Sequence, residues 1–166
     1  TGMRGKVFVV DKSKERLKEL HEMFGDKIIP TESDKTDLKK LISECDLLVG
    51  GVLIPGAEAP KLVTKEMIKS MKRGSVIVDV AIDQGGCVET SKPTTHANPT
   101  YLVDDVVHYC VANMPGGVPR TSTMALNKAT LPLLLKLADQ GYKKTLTENK
   151  NYMAGLNVYR GNITFK

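Results

Sequence analysis

Short apolar runs alternate with amphipathic stretches from Lys6 to Val111. Lys6–Asp11, KVFVVD, is β-branched and apolar without polar alternation, the pattern of a strand covered on both faces. Ser13 is a suitable N-cap for the segment that follows, in which Leu17, Leu20 and Phe24 share one side; Gly25 ends it. A weak strand over Lys27–Ile29 and a short helix from about Thr36, faced by Leu38, Leu41 and Ile42, come next. Asp46–Gly50, DLLVG, reads as a third strand that empties into the glycine- and proline-containing loop Gly51–Pro60. Thr64–Met71 is expected to be a helix with Met67, Ile68 and Met71 inward. Ser75–Ala81 and Val106–Val111 complete the set as the fourth and fifth strands. Strand alternating with helix at this spacing predicts βαβ units and a parallel sheet.

The pattern changes near Pro115–Pro119, which divides the chain into 1–118 and 119–166. Ser122–Ala138 predicts a long helix with Leu126, Leu133, Leu134 and Leu137 on an apolar side, Pro132 kinking it and Gly141 closing it. A lysine-bearing tail follows, and Leu156–Lys166 reads as two short strands about Arg160–Gly161.

Composition adds only limits. A chain of 166 residues with 41% hydrophobic and 26% charged residues suits a globular domain with a real core. The net charge of +5 is scattered rather than blocked, so nucleic acid is not an expected partner. Nor is a membrane, since no apolar run approaches the roughly 18 residues a spanning helix needs. Cys45, Cys87 and Cys110 show neither pairing logic nor metal spacing, as expected in a reducing cytoplasm. The chain opens on Thr1, with a strand almost at once, which suggests a truncated, processed or partial polypeptide.

In open parallel sheets, ligands bind beyond the carboxyl ends of the strands. That rule selects Asp11, Val52, Leu53, Asp83, Asn113 and Met114. Asp11, at the end of the first visible strand, is placed to accept from the ribose hydroxyls of a dinucleotide, or else to cap the next helix. Lys12 and Arg16 beside it weaken a preference for NAD over NADP. Asp83, in AIDQGG, either orients a cofactor and relays a proton or simply forms the turn before Gly85 and Gly86. His108 belongs to an apolar strand, His21 to a helix flank, and His96 to a loop where hydrogen bonding suits it better than catalysis. Cys87 has no evident base. The glycine-rich phosphate loop that a Rossmann domain carries between its first strand and helix is absent. The expected fold is therefore α/β: a partial Rossmann-type doubly wound parallel sheet lacking its first strand and glycine loop.

Three long motifs carry a family resemblance. VLIPGAEAPKLVTKEMIKSMKRGSVIVDVAIDQGG (Val52–Gly86), ETSKPTTHANPTY (Glu89–Tyr101) and HYCVANMPGGVPRTSTMALNKATLP (His108–Pro132) resemble bacterial alanine dehydrogenases. The related NAD-binding subunit of transhydrogenases shares the fold, though NMP…VPRTST looks more like the dehydrogenase form. The resemblance implies an NAD-dependent enzyme that interconverts L-alanine with pyruvate and ammonia, typically as a hexamer. It implies that Asp11 binds the adenosine ribose, with Arg16 and Ser33 at the adenine end. Val52 and Leu53 would line the cleft. Val80, Ala81, Ile82 and Asp83 would pass the nicotinamide, with Asp83 as the catalytic carboxylate. Lys92 would contact the cofactor, and Val111, Ala112, Asn113 and Met114 would wall the nicotinamide pocket. Residues 119–166 would be a linking helix and the closing segment of a substrate domain. The arginine, lysine and histidine that hold the substrate in this family map to nothing in the chain, so the chain alone should be inactive. The alternative is an NAD(H)-binding module of a transhydrogenase-like protein without dehydrogenase activity.

Overall fold

The computed structural model describes residues 2–34 and 36–164, in two compact units, Thr1–Met114 and Pro115–Lys166. In the first unit, β1 (Phe8–Asp11) pairs in parallel with β2 (Ile29–Glu32) across α1 (Lys14–Phe24). Ser13 caps α1 as expected, its hydroxyl accepting from Arg16 N at 3.2 Å, and Gly25 ends it at φ +55. The strand expected over Lys27–Ile29 is displaced. Residues Gly25–Lys27 form a 3₁₀ turn closed by Ile28 N on Gly25 O, and the strand begins only at Ile29. Pro30 is tolerated because β2 is an edge.

α2 (Leu38–Glu44) starts one residue after its cap Asp37, whose carboxylate accepts from Lys40 N. β3 (Leu47–Gly50), α3 (Lys65–Lys69) and β4 (Val76–Asp79) follow. The next two strands form a hairpin, β5 (Thr100–Val103) and β6 (Val106–Tyr109). The second sheet runs β3-β4-β6-β5 and is parallel except for β5. The antiparallel edge strand β5 is an addition to the five strands read from the sequence. Asp104 and Asp105, both at positive φ, make the two-residue turn that lets TYLV and VVHY pair directly.

Among the described residues, β1 and β2 form a two-stranded sheet of their own, separate from the sheet that holds β3. Strands expected to be covered on both faces are covered on one. Phe8, Val10, Leu47 and Val49 stay exposed while their alternating neighbours turn inward. The core lies on the other face, where Ile42, Ile68, Met71, Ile77, Val88 and Val106 pack together. Each fully buried isoleucine there contributes about 1.5–3 kcal/mol.

In the second unit, α4 (Pro119–Gln140) begins with a proline at its first turn and runs on through Pro132. Gly141, at φ +73, donates to Leu137 O and separates α4 from α5 (Tyr142–Glu148). The lysine-bearing tail is therefore helical, and α6 (Lys150–Ala154) extends it. Tyr152 Oη donates to Leu133 O at 3.1 Å. The hairpin expected at the end is present as β7 (Val158–Tyr159) and β8 (Asn162–Ile163) about Arg160 and Gly161, both at positive φ. Phe165 and Lys166, included in that expectation, lie outside the described residues. No residue of α4 is buried; Leu126, Leu133 and Leu134 are all more than half exposed. No helix of the described residues is long and apolar enough to cross a membrane.

Candidate functional site

The site is built on the turn where β4 ends. Asp79, fully buried, closes the strand and starts a 3₁₀ turn over Val80–Gln84. Its Oδ1 accepts from Ala81 N at 3.1 Å; its Oδ2 accepts from Cys87 N at 3.0 Å, Val88 N at 3.2 Å and Ser91 Oγ at 2.6 Å. A buried carboxylate is costly unless its oxygens are satisfied, and these four donors satisfy them while folding residues 80–91 around one side chain. Burial and the neighbouring Asp79 push the Cys87 thiol up to about 11. Cys87 therefore stays protonated at neutral pH and is no nucleophile.

Packing is tight where the glycines lie. A Cβ on Gly86, at φ +76, would sit 2.7 Å from Asp79 Oδ2 and 3.0 Å from Ser91 Cβ; one on Gly85, at φ +86, would meet nothing within 4 Å. Gly85→Ala is expected to cost about 1 kcal/mol of backbone strain. Gly86→Ala adds overpacking, about 1–3 kcal/mol more. Urea denaturation of the two variants should show this order, and equal midpoints would contradict it.

The loop after β3 is laced to the same turn. Ala59 N donates to Gln84 O at 2.8 Å, Leu62 N to Cys87 O at 2.9 Å, and Glu89 N to Val63 O at 2.8 Å. Lys61 Nζ donates to the carbonyls of Gly85 and Gly86, the latter at 2.8 Å, which fixes both glycine peptides. Val52 packs against the core, whereas Leu53 is 72% exposed.

Asp83 emerges from this scaffold onto the surface. It does not serve its own turn, which Asp79 caps; its Oδ1 accepts from Asn113 N at 3.2 Å. Asn113 holds φ +54 and offers its carbonyl to His96 Nε2 at 3.1 Å. Residues distant in sequence thus converge beyond the ends of β4 and β6. Val80 is half exposed there, while Ala81, Ile82 and Val111 are buried. Ala112 is exposed, and Met114 is half-buried.

A buried polar cluster supports the loop carrying Lys92. Lys92 N donates to Tyr101 Oη at 2.7 Å, which in turn donates to Thr90 O. Tyr101 stacks on His108 at 5.0 Å between ring centroids. His108 Nδ1 lies 3.0 Å from Val106 O, an acceptor, so Nδ1 carries the proton and Nε2 accepts from Thr90 Oγ1 at 2.7 Å. Burial lowers the pKa of His108 and keeps it neutral, a core residue as expected. Burial, and then Cys110 beside its hydroxyl, raise that of Tyr101. Lys92 itself is exposed.

Asp11 and Ser33 meet at the ends of β1 and β2, and Arg16 lies in the first turn of α1. Ser33 N donates to Asp11 O at 3.0 Å, and Asp11 Oδ1 accepts from Ser13 N at 2.8 Å. Asp11 is thus not the helix cap; it closes the turn that delivers the cap, Ser13. Arg16 pairs with Glu19 at 2.8 Å. Asp79, Ser91 and Lys61 are the positioning residues that sequence reasoning missed. A lone carboxylate inside the apolar run VIVDVA, which must find donors, was the available signal. No group of three or more metal-ligating side chains occurs among the described residues.

The family described as Alanine dehydrogenase/PNT, C-terminal domain, matches residues 1–166. The chain belongs to this family. Among its members, an alanine dehydrogenase of Halomonas elongata is 54% identical over 165 residues, 99% of this chain and 44% of that protein. Alanine dehydrogenase 2 of Staphylococcus aureus is 51% identical over 166 residues, 99% of this chain and 45% of that protein. A solved L-alanine dehydrogenase superposes with a TM-score of 0.86 at 47% identity, over 99% of this chain and 45% of its own. A transhydrogenase from Sinorhizobium meliloti shares the fold, with a TM-score of 0.61 at 23% identity over 82% of this chain and 46% of its own. The chain therefore spans less than half the length of these relatives.

Proposed function

We propose that the chain is the nucleotide-binding portion of an NAD-dependent L-alanine dehydrogenase, inactive by itself, with Asp83 as its catalytic carboxylate. The observation that carries this is the exposed Asp83 carboxylate, anchored by Asn113 N and set on a turn that a different aspartate holds. A structural turn aspartate would have spent its oxygens locally.

The residues fit a dinucleotide. Half-exposed Val80, on the same turn as Asp83, and exposed Leu53, after β3, are apolar side chains of the kind a nicotinamide ring packs against. Asp11, Arg16 and Ser33 would hold the adenosine end; Val52, Leu53, Val80–Asp83, Lys92 and Val111–Met114 would line the rest, the buried members from behind. NAD, when bound, supplies the acceptor for the hydride that leaves the alanine Cα. The resulting imine takes up water to give pyruvate and ammonia. Asp83 would hold that water or the amine and accept a proton from it. The exposed leucines of α4 suit burial in a homo-oligomer, and the free cysteines suit a reducing cytoplasm.

The test is reduction of NAD by the full-length protein with L-alanine as sole donor. Binding of NADH without alanine-dependent reduction would replace this reading with a transhydrogenase-like module.

A further inference from the structure

We propose that His96 is a positioning residue for the nucleotide pocket: it holds the Asn113 carbonyl and, through Asn113, the Asp83 carboxylate. This rests on the reading of Asn113 and Asp83 as pocket residues.

The geometry begins with a short parallel bridge. Thr94 N donates to Cys110 O at 2.9 Å, and Ala112 N donates to Thr94 O at 3.1 Å, setting Thr94 beside Val111. Two residues further in that register His96 stands opposite Asn113, and there the imidazole makes the connection, 3.1 Å from Asn113 O. Because a carbonyl only accepts, Nε2 must carry a proton and donate. Asn113 is at φ +54, a region that asparagine tolerates better than other non-glycine residues, at a cost of up to about 1 kcal/mol. Both backbone polar groups of Asn113 are held: its N–H donates to Asp83 and its carbonyl accepts from His96. Freed of His96, residues 112–114 can relax out of the strained conformation. Nucleotide binding must then restore it at its own expense.

His96 is exposed, so its replacement removes this contact without opening the core. In the full-length protein, His96→Ala is expected to weaken NADH binding about threefold to tenfold, the size of one hydrogen bond. KM for NAD should rise in step, and the unfolding midpoint should stay near wild type. His96→Gln, whose amide nitrogen lies the same number of bonds from Cα, should restore binding. Unaltered NADH affinity in His96→Ala, loss of stability without loss of affinity, or failure of glutamine to rescue would each overturn the role of His96. A wild-type protein that binds no NADH would instead overturn the functional reading beneath it.

Discussion

Replacing Asp83 with asparagine in the full-length protein is expected to lower alanine-dependent turnover about 10²-fold or more, the scale of a lost general acid–base. The fold should be untouched. Asp83 is exposed and makes one hydrogen bond, from Asn113 N to Oδ1, which the asparagine oxygen can still accept. What disappears is the negative charge and the capacity to take a proton. The comparison therefore separates chemistry from architecture: steady-state kinetics should change sharply, while the urea midpoint and NADH affinity change little. Turnover within a few-fold of wild type would remove Asp83 from the mechanism.

Asp79→Ala is expected to act in the opposite way. It strips the acceptor from Ala81 N, Cys87 N, Val88 N and Ser91 Oγ at once, in a place with no access to water. Each buried donor left unpaired costs about 1–3 kcal/mol. Several together approach the whole stability of an ordinary domain, about 5–15 kcal/mol. The variant should be recovered unfolded or with a urea midpoint far below wild type. Asp79→Asn should fall between, because its amide nitrogen turns an N–H toward donors that need an acceptor. Serine at 91 can rotate its hydroxyl, but the three backbone N–H groups cannot move away. A midpoint for Asp79→Ala within about 1 kcal/mol of wild type would contradict the role of this carboxylate, since even one unpaired buried donor costs that much.

These two aspartates also show what the sequence made legible. Both lie in VIVDVAIDQGG, and the motif resemblance directs attention to Asp83, which the structure indeed places on the surface beyond the strand end. The strand was read through to Ala81 because nothing in hydrophobic patterning distinguishes a buried aspartate that ends a strand from one that interrupts it. Only the donors folding back from 87–91, eight to twelve residues away, reveal that the strand stops at Asp79. The cap was plain at Ser13, where local chemistry decides the geometry; the helix read over Thr64–Met71 is shorter, Lys65–Lys69, with Thr64 as its cap. The β5–β6 hairpin was missed because Asp-Asp is a weaker turn signal than Asn-Gly. The helices of the lysine-bearing tail carry little apolar periodicity, so only their contacts with α4 and with one another identify them.

The convergence of Asp83, Asn113 and His96 could not be read along the chain. It depends on β4 and β6 being neighbours and on Thr94 entering the ladder beside Val111, both tertiary facts. Gly86 was legible as a turn residue but not as a steric requirement, since the group it must clear is the Asp79 carboxylate.

The central claim is that this chain serves hydride transfer from alanine. The direct measurement supplies the full-length protein with Cα-deuterated L-alanine and NAD and determines the mass of the reduced nucleotide. The account predicts reduced nucleotide carrying one deuteron, with pyruvate and ammonia formed in equal amount. Nucleotide that binds but is not reduced, or is reduced without the deuteron, would contradict it.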